Sequence, residues 1–217
     1  MIERSIIEQL DQKGADITAV VDRVIEKPDV ISELVEALKI ETRAVKFSYE
    51  KVLRLISESQ PNLIYPYFDL FVDLLDSDNS FLKWGAIMTL ANLAAVDDQK
   101  RFKVIFRKYY APIQGPKLVT TANIVGSSAK IAQGKPDLTE RITHEILKVE
   151  KASYENKGTP SPECRNVAIG KTIDSFDKFF NQIDDKGVVV AFVKRQLKNS
   201  RKQVVKKAIR FIRKHKV

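Results

Sequence analysis

Residues 78–93, DNSFLKWGAIMTLANL, contain the pattern on which the fold depends. The polar residues at the start can cap a helix, and the apolar residues that follow recur at the helical spacing of three and four. Gly85 lies in the middle of this helix, where the absence of a side chain lets a neighbouring helix approach closely. The stretch therefore predicts a buried helix that packs against other helices.

Small residues occupy the equivalent point of other predicted helices. They are Ser48, Gly85, Ala122, Ala168 and Ala208. Successive members are 37, 37, 46 and 40 residues apart, which is the period of repeats built from helix pairs. The longest interval contains an obvious insertion, residues 153–160, SYENKGTP. The spacing therefore predicts an internal repeat with one lengthened loop.

A second stretch, residues 203–213 with the sequence QVVKKAIRFIR, has the same arrangement of apolar and small residues. On these two stretches the chain resembles the HEAT/armadillo family of helical repeats over about residues 41–215. The resemblance implies an all-α fold, an α-α superhelix (HEAT-like solenoid) of about five antiparallel helix pairs. It implies a fold rather than a function, because many unrelated activities share this architecture.

We expect one α-solenoid domain over residues 1–217. Residues 1–40 form a helical N-terminal cap, 41–199 the HEAT-like repeats, and 200–217 a basic C-terminal capping helix. Apolar periodicity and boundary residues such as Ser161-Pro162 predict the individual helices. These helices are expected at 2–13, 16–27, 29–40, 43–58, 61–76, 80–95, 99–110, 116–132, 138–152, 162–180, 186–198 and 201–215.

Composition limits the compartment and the class of protein. The chain is 44% apolar and 30% charged, which suits an ordered helical protein. Its single cysteine, Cys164, cannot form an internal disulfide, so a reducing, cytoplasmic location is expected. The first residues lack the apolar core of a signal peptide, and no apolar run reaches the roughly 18 residues of a membrane span. No membrane partner is expected.

Charge is distributed unevenly along the chain. Residues 1–100 contain 11 Lys/Arg against 18 Asp/Glu, whereas residues 101–217 contain 26 against 10. Such asymmetry indicates either a solubilising surface or a site for phosphates or an acidic protein. The candidate binding residues lie in two tracts without acidic residues, and they are Arg101, Lys103, Arg107, Lys108, Lys202, Lys206, Lys207, Arg210, Arg213 and Lys214.

The last helix has a predicted orientation. Its apolar positions on a helical wheel are Val204, Val205, Ala208, Ile209 and Ile212, and we expect this side to face the core. The cations of the second tract would then form an entirely basic outer face.

No residue pattern in the sequence predicts catalysis. Trp84 is interpreted as a core or edge aromatic with Asp78 as a helix cap, and Cys164 as a small buried hydrophobe. His144 and His215 are expected at the surface, too far apart in sequence to suggest a metal site. We therefore expect no catalytic residues, no metal and no cofactor. A HEAT-like DNA glycosylase is only a remote third interpretation.

The insertion at residues 153–160 is either a neutral surface loop or part of a binding surface. In the second case Tyr154 is the expected contact residue. The leading hypothesis for the whole chain is a non-enzymatic scaffold that binds a protein partner through its solenoid surface. The alternative is a module that binds the phosphate backbone of nucleic acid through the basic C-terminal half. A monomer is the favoured oligomeric state.

Overall fold

The computed structural model describes residues 5–12 and 14–217. Within these residues every regular element is helical except one two-stranded hairpin, so the predicted all-α class is confirmed. The chain divides into two compact units, residues 1–99 and residues 100–217. The predicted helix at residues 2–13 is described as Ile6–Leu10, and the rest of that prediction lies largely outside the described residues.

Unit 1 combines several short helices with two longer ones, the fourth and the seventh. They are α1 Ile6–Leu10, α2 Ile17–Glu26, α3 Val30–Ile40, α4 Lys46–Ser59, α5 Pro61–Ile64, α6 Phe68–Leu74 and α7 Ser80–Leu93. Helix α4 packs against α2, α3 and α7, and α6 also packs against α7. Fully buried side chains such as Val52, Leu53 and Leu90 fill the space between these helices. Burial of such side chains drives the helices together.

The predicted helix at residues 61–76 is interrupted. The structure has α5, then a 3₁₀ turn at Tyr65–Tyr67, then α6. Pro66 explains the break, because it has no backbone N–H to donate and its ring clashes with the preceding helical turn.

Unit 2 alternates long and short helices. They are α8 Arg101–Tyr110, α9 Leu118–Gly134, α10 Thr139–Leu147, α11 Pro162–Phe179, α12 Lys186–Arg195 and α13 Lys202–His215, with the hairpin β1 Glu155–Asn156 and β2 Thr159–Pro160 between α10 and α11. Helix α11 packs between α9 and α13, while α10 contacts α9 and α12 contacts α13. Ser161 caps α11 by accepting a hydrogen bond from the Cys164 amide, and Pro162 occupies the first helical position as predicted.

The predicted repeat positions agree with the structure in part. Gly85, Ala168 and Ala208 are buried between neighbouring helices, which is the place expected of small residues in a stack. Ser48 and Ala122 are only half-buried. The spacing therefore located the helix pairs, but it did not identify the contact residue in every pair.

In residues 5–12 and 14–217, no helix combines the length and apolar character that a bilayer span requires.

Candidate partner-binding surface on α13

The outward side of α13 carries cations around one apolar side chain. Lys202, Lys206, Ile209 and Arg213 are separated by four, three and four residues, which places them on one face of the helix. All four are exposed, and Ile209 exposes 53% of its surface. We call these four residues the α13 stripe. It combines positive charge with one exposed apolar side chain.

The predicted orientation of α13 is wrong in part. Val204 and Ala208 face the core as expected, but Ile209 does not, and Phe211 is buried in its place. Phe211 packs edge-on against Phe180, with 5.0 Å between ring centroids. This aromatic contact rotates the helix toward Phe211. As a result Ile209 points away from the core.

Three of the predicted binding cations are already paired with α11. Lys207 and Arg210 both contact Asp174, with Arg210 Nη2 3.1 Å from the carboxylate, and Lys214 Nζ lies 2.9 Å from Asp177. The outer face of α13 is therefore not uniformly available to a partner. Lys202, Lys206 and Arg213 are the predicted cations on this helix that remain outside the Asp174 and Asp177 pairs.

His215 is not a surface residue, contrary to the prediction. Its ring lies against Phe180 and Phe211, with centroid distances of 4.6 and 4.5 Å. Its Nε2 atom lies 2.9 Å from Asp177. Burial acts to raise the pKa of Asp177, but hydrogen bonds from Lys214 and His215 outweigh it and hold that pKa below its usual value.

The other predicted basic tract lies on α8. Lys103 and Arg107 are exposed, whereas Arg101 and Lys108 are half-buried and interact with other groups. Phe106 of α8 lies against Arg141 of α10, whose guanidinium carbon is 4.1 Å from the ring centroid, while α13 packs against α11 and α12. The two tracts therefore belong to different parts of unit 2.

Tyr154 is not a loop contact residue. Its side chain is completely buried, and its hydroxyl donates a 2.7 Å hydrogen bond to the carbonyl of Ile113. Burial raises the pKa of Tyr154 to about 12. The residue anchors the insertion to unit 2, so the hypothesis that Tyr154 contacts a partner is wrong.

The rest of the insertion forms the hairpin of β1 and β2. Lys157 and Gly158, in the turn between its strands, have positive φ values of 52° and 80°. This backbone conformation matches the twist of a tight hairpin. Residues 155–160 are exposed, so the hairpin is a small surface feature on a buried tyrosine anchor.

The aromatic, cysteine and histidine residues weighed as candidates for catalysis or metal binding are not grouped into a site in the described part of the chain. Trp84 is half-buried and packs edge-on against Phe81 at 5.4 Å, and Asn79 rather than Asp78 caps its helix. Cys164 is half-buried instead of fully buried, and His144 is exposed as predicted. Among the described residues, no group of three His, Cys, Asp or Glu side chains is arranged to hold a metal ion.

Comparison with known proteins supports the fold. A designed armadillo repeat protein in complex with the peptide (KR)4 is similar over 96% of this chain and 97% of its own, with 14% identity and a TM-score of 0.53. An engineered protein, at 18% identity over 98% and 88% of the two chains, has a TM-score of 0.47. The similarity to the designed armadillo repeat protein confirms the predicted armadillo/HEAT-like helical-repeat fold. No family model matches the sequence, and no curated protein matches it.

Proposed function

We propose that this helical-repeat protein is a non-enzymatic binding module, and that its α13 stripe binds an acidic, amphipathic segment of a protein partner. The exposure of Ile209 between Lys206 and Arg213 is the observation that carries this proposal. An apolar side chain surrounded by cations complements a helix that has one apolar side chain surrounded by carboxylates.

The charge of the C-terminal region supports an acidic partner. Residues 101–217 carry 26 Lys/Arg against 10 Asp/Glu, and this excess attracts an acidic segment from a distance. Contact with Ile209 then adds the apolar burial that exposed ion pairs lack, since such pairs contribute only about 0–1 kcal/mol each. Charge accelerates the encounter, and apolar contact prolongs the complex.

A protein partner suits the stripe better than nucleic acid. Contact with the exposed Ile209 side chain adds no favourable binding free energy for a charged phosphate backbone. The designed armadillo repeat protein described above holds a peptide, so this fold is suited to peptide binding, and here the surface charge favours a peptide of opposite sign.

The test uses a labelled helical peptide with leucine on one face and glutamate on the others, together with single-stranded and double-stranded oligonucleotides. We compare Lys206→Glu/Arg213→Glu on the stripe with Lys103→Glu/Arg107→Glu on α8, which changes the net charge equally. The stripe variant should weaken peptide binding about thirty-fold, and the α8 variant less than about threefold. Ile209→Asn should also weaken the peptide complex without affecting oligonucleotide binding.

Two results would overturn this proposal. Equal losses in the two double variants would mean that net charge, and not the stripe, controls binding. Oligonucleotide binding without peptide binding would support the nucleic-acid alternative, and its affinity should then fall steeply with salt, at a slope of about −0.9 for each phosphate neutralised.

A further inference from the structure

A cavity of about 330 Å³ opens on the surface shared by α9, α11 and α13. Lys171, Ser175 and Lys178 of α11 line one side of it, Arg210 of α13 lines another, and Gly126 of α9 lies at its edge. The cavity does not include the residues of the α13 stripe. Its lining is therefore distinct from that surface.

Positive charge predominates around this cavity. Lys171 and Lys178 are exposed and form no ion pair with any residue in the described part of the chain. The two carboxylates at the cavity are already neutralised, because Asp174 contacts Lys207 and Arg210, and Asp177 contacts Lys214 and His215. A ligand in the cavity would therefore meet excess cations.

Ser175 supplies an independent indication of a ligand. This residue is 2% exposed, and its hydroxyl oxygen has no hydrogen-bond partner among the described residues. A buried hydroxyl without a partner costs about 1–3 kcal/mol, and Ser175 lines the cavity. A bound oxyanion would accept a hydrogen bond from the hydroxyl and remove this cost.

Gly126 leaves room for a ligand. A Cβ atom added at this position would have no heavy atom within 4 Å, even though the glycine lies inside a helix where alanine is about 1 kcal/mol more favourable. A larger side chain here would fit without a clash and would extend from the edge of the cavity. The position is therefore suitable for blocking the cavity without disturbing the core.

We infer that this cavity binds a phosphate monoester, with Lys171, Lys178 and Arg210 around the dianion and Ser175 donating a hydrogen bond to it. A phosphate monoester offers three acceptor oxygens and nearly two negative charges, which suits several cations and one hydroxyl donor. The same group occurs on phosphorylated serine or threonine of a protein and on free phosphorylated metabolites. Both sources present the chemistry that the cavity recognises.

Binding is measured by calorimetry with inorganic phosphate, O-phosphoserine and a short phosphoserine peptide, at constant ionic strength and with chloride as the reference anion. O-phosphoserine should bind, and Lys171→Gln/Lys178→Gln should weaken that binding at least about tenfold. Gly126→Glu should abolish it by placing a carboxylate at the cavity. Gly126→Ala is the matched control, since its methyl group leaves the cavity open.

The outcomes distinguish a protein source of the phosphate from a small molecule, and they test this inference independently of the stripe proposal. A phosphoserine peptide that binds more tightly than O-phosphoserine indicates a protein source, and equal affinities indicate a small molecule. Lys206→Glu/Arg213→Glu should bind phosphate normally, so failure of the stripe proposal leaves this one standing. The inference is overturned if none of the three ligands binds, or if Gly126→Glu binds them as well as Gly126→Ala does.

Discussion

The two units each place a charged side chain against a glycine of a neighbouring helix, but with different consequences. In unit 1, the carboxyl group of Glu50 on α4 lies over Gly85 of α7. In unit 2, the ammonium group of Lys207 on α13 lies over Gly170 of α11, 3.6 Å from the position that a Cβ atom would take. In both, the missing side chain lets a charge enter the contact between two helices.

The charge in unit 2 is fully paired. Lys207 Nζ donates to the carbonyl of Gly170 at 3.3 Å and to Asp174, and it remains partly exposed. The charge in unit 1, on Glu50, is not fully paired. Glu50 Oε1 and Arg54 Nε are both buried without hydrogen bonds, and they are 3.6 Å apart. Burial raises the pKa of Glu50 to about 7, although Arg54 and Lys51 act to lower it.

A glycine therefore leaves room for a charged group between two helices, but it does not determine the free-energy cost of burying that group. The cost depends on whether hydrogen-bond partners lie on the adjacent turns. Unit 2 supplies Asp174 one turn after Gly170, whereas unit 1 offers Glu50 only the poorly aligned Arg54. Of the two glycine contacts, the one in unit 1 is therefore expected to depend on pH.

The largest expected effect is the pH dependence that Glu50 causes. Its pKa is about 7 in the folded chain against 4.5 for the ordinary group, so the folded protein binds the proton more tightly. The stabilisation is complete below pH 4.5 and is lost as the pH rises through 7. At about 1.4 kcal/mol per pKa unit, the loss is about 3 kcal/mol. Glu50→Gln should remove this dependence.

Urea unfolding followed by the fluorescence of Trp84, the only tryptophan, reports on unit 1. As the pH rises from 4.5 to 8, the free energy of unfolding of wild type should fall by about 3 kcal/mol more than that of Glu50→Gln. Glu58→Gln, which changes an exposed carboxylate of the same helix, is the matched control. Parallel pH profiles for wild type and Glu50→Gln would contradict this account of Glu50.

The next effect depends on the glycine itself. A Cβ atom at Gly85 would lie 1.9 Å from Glu50 Oε1 and 2.1 Å from Cδ, so Gly85→Ala must displace the carboxyl group. Since that group ends a flexible side chain, we expect it to move into solvent and the pH-dependent loss to fall from about 3 to below about 1 kcal/mol. The same Trp84 unfolding series measures this change.

Gly170→Ala is the control from unit 2. Its added Cβ atom would meet Val204 Cγ2 at 3.3 Å, a contact that requires only a small adjustment. The higher helix propensity of alanine should raise the free energy of unfolding of both variants by up to about 1 kcal/mol. Only Gly85→Ala should change how that free energy depends on pH. A Gly85→Ala protein that keeps the full pH dependence would mean that Glu50 titrates elsewhere.

The sequence predicted the framework of this molecule better than its contacts. Helical periodicity and the Ser161-Pro162 boundary located α11, and the helix predicted at residues 186–198 corresponds to α12. These features depend on neighbouring residues in the chain. They can therefore be recognised without knowing what each helix packs against.

The orientation of α13 depends on distant residues. The helical wheel favours Ile209 for the core, but contact with Phe180 selects Phe211, and Asp174 draws Lys207 to the α11 side. Tyr154 was misplaced for the same reason, because its partner is the carbonyl of Ile113. Lys171, Ser175 and Lys178 were missed, although their i, i+4, i+7 spacing on one helix was a visible signal.

The smallest expected effect is the removal of the paired charge in unit 2. Lys207→Met keeps the apolar stem and removes the ammonium group, while Arg210 stays on Asp174 at 3.1 Å. Because the pair is partly exposed, the free energy of unfolding should fall by only about 1 kcal/mol, equally at pH 5 and pH 8.

Circular dichroism follows this unfolding, because Trp84 lies in unit 1. Lys206→Met, at the exposed neighbouring position, is the control and should change stability by less than about 0.5 kcal/mol. Salt should reduce the difference between the two variants, since it screens partly exposed charges. A pH-dependent loss of about 3 kcal/mol in Lys207→Met would mean that both glycine contacts hold unsatisfied charges, and the contrast between the units would fail.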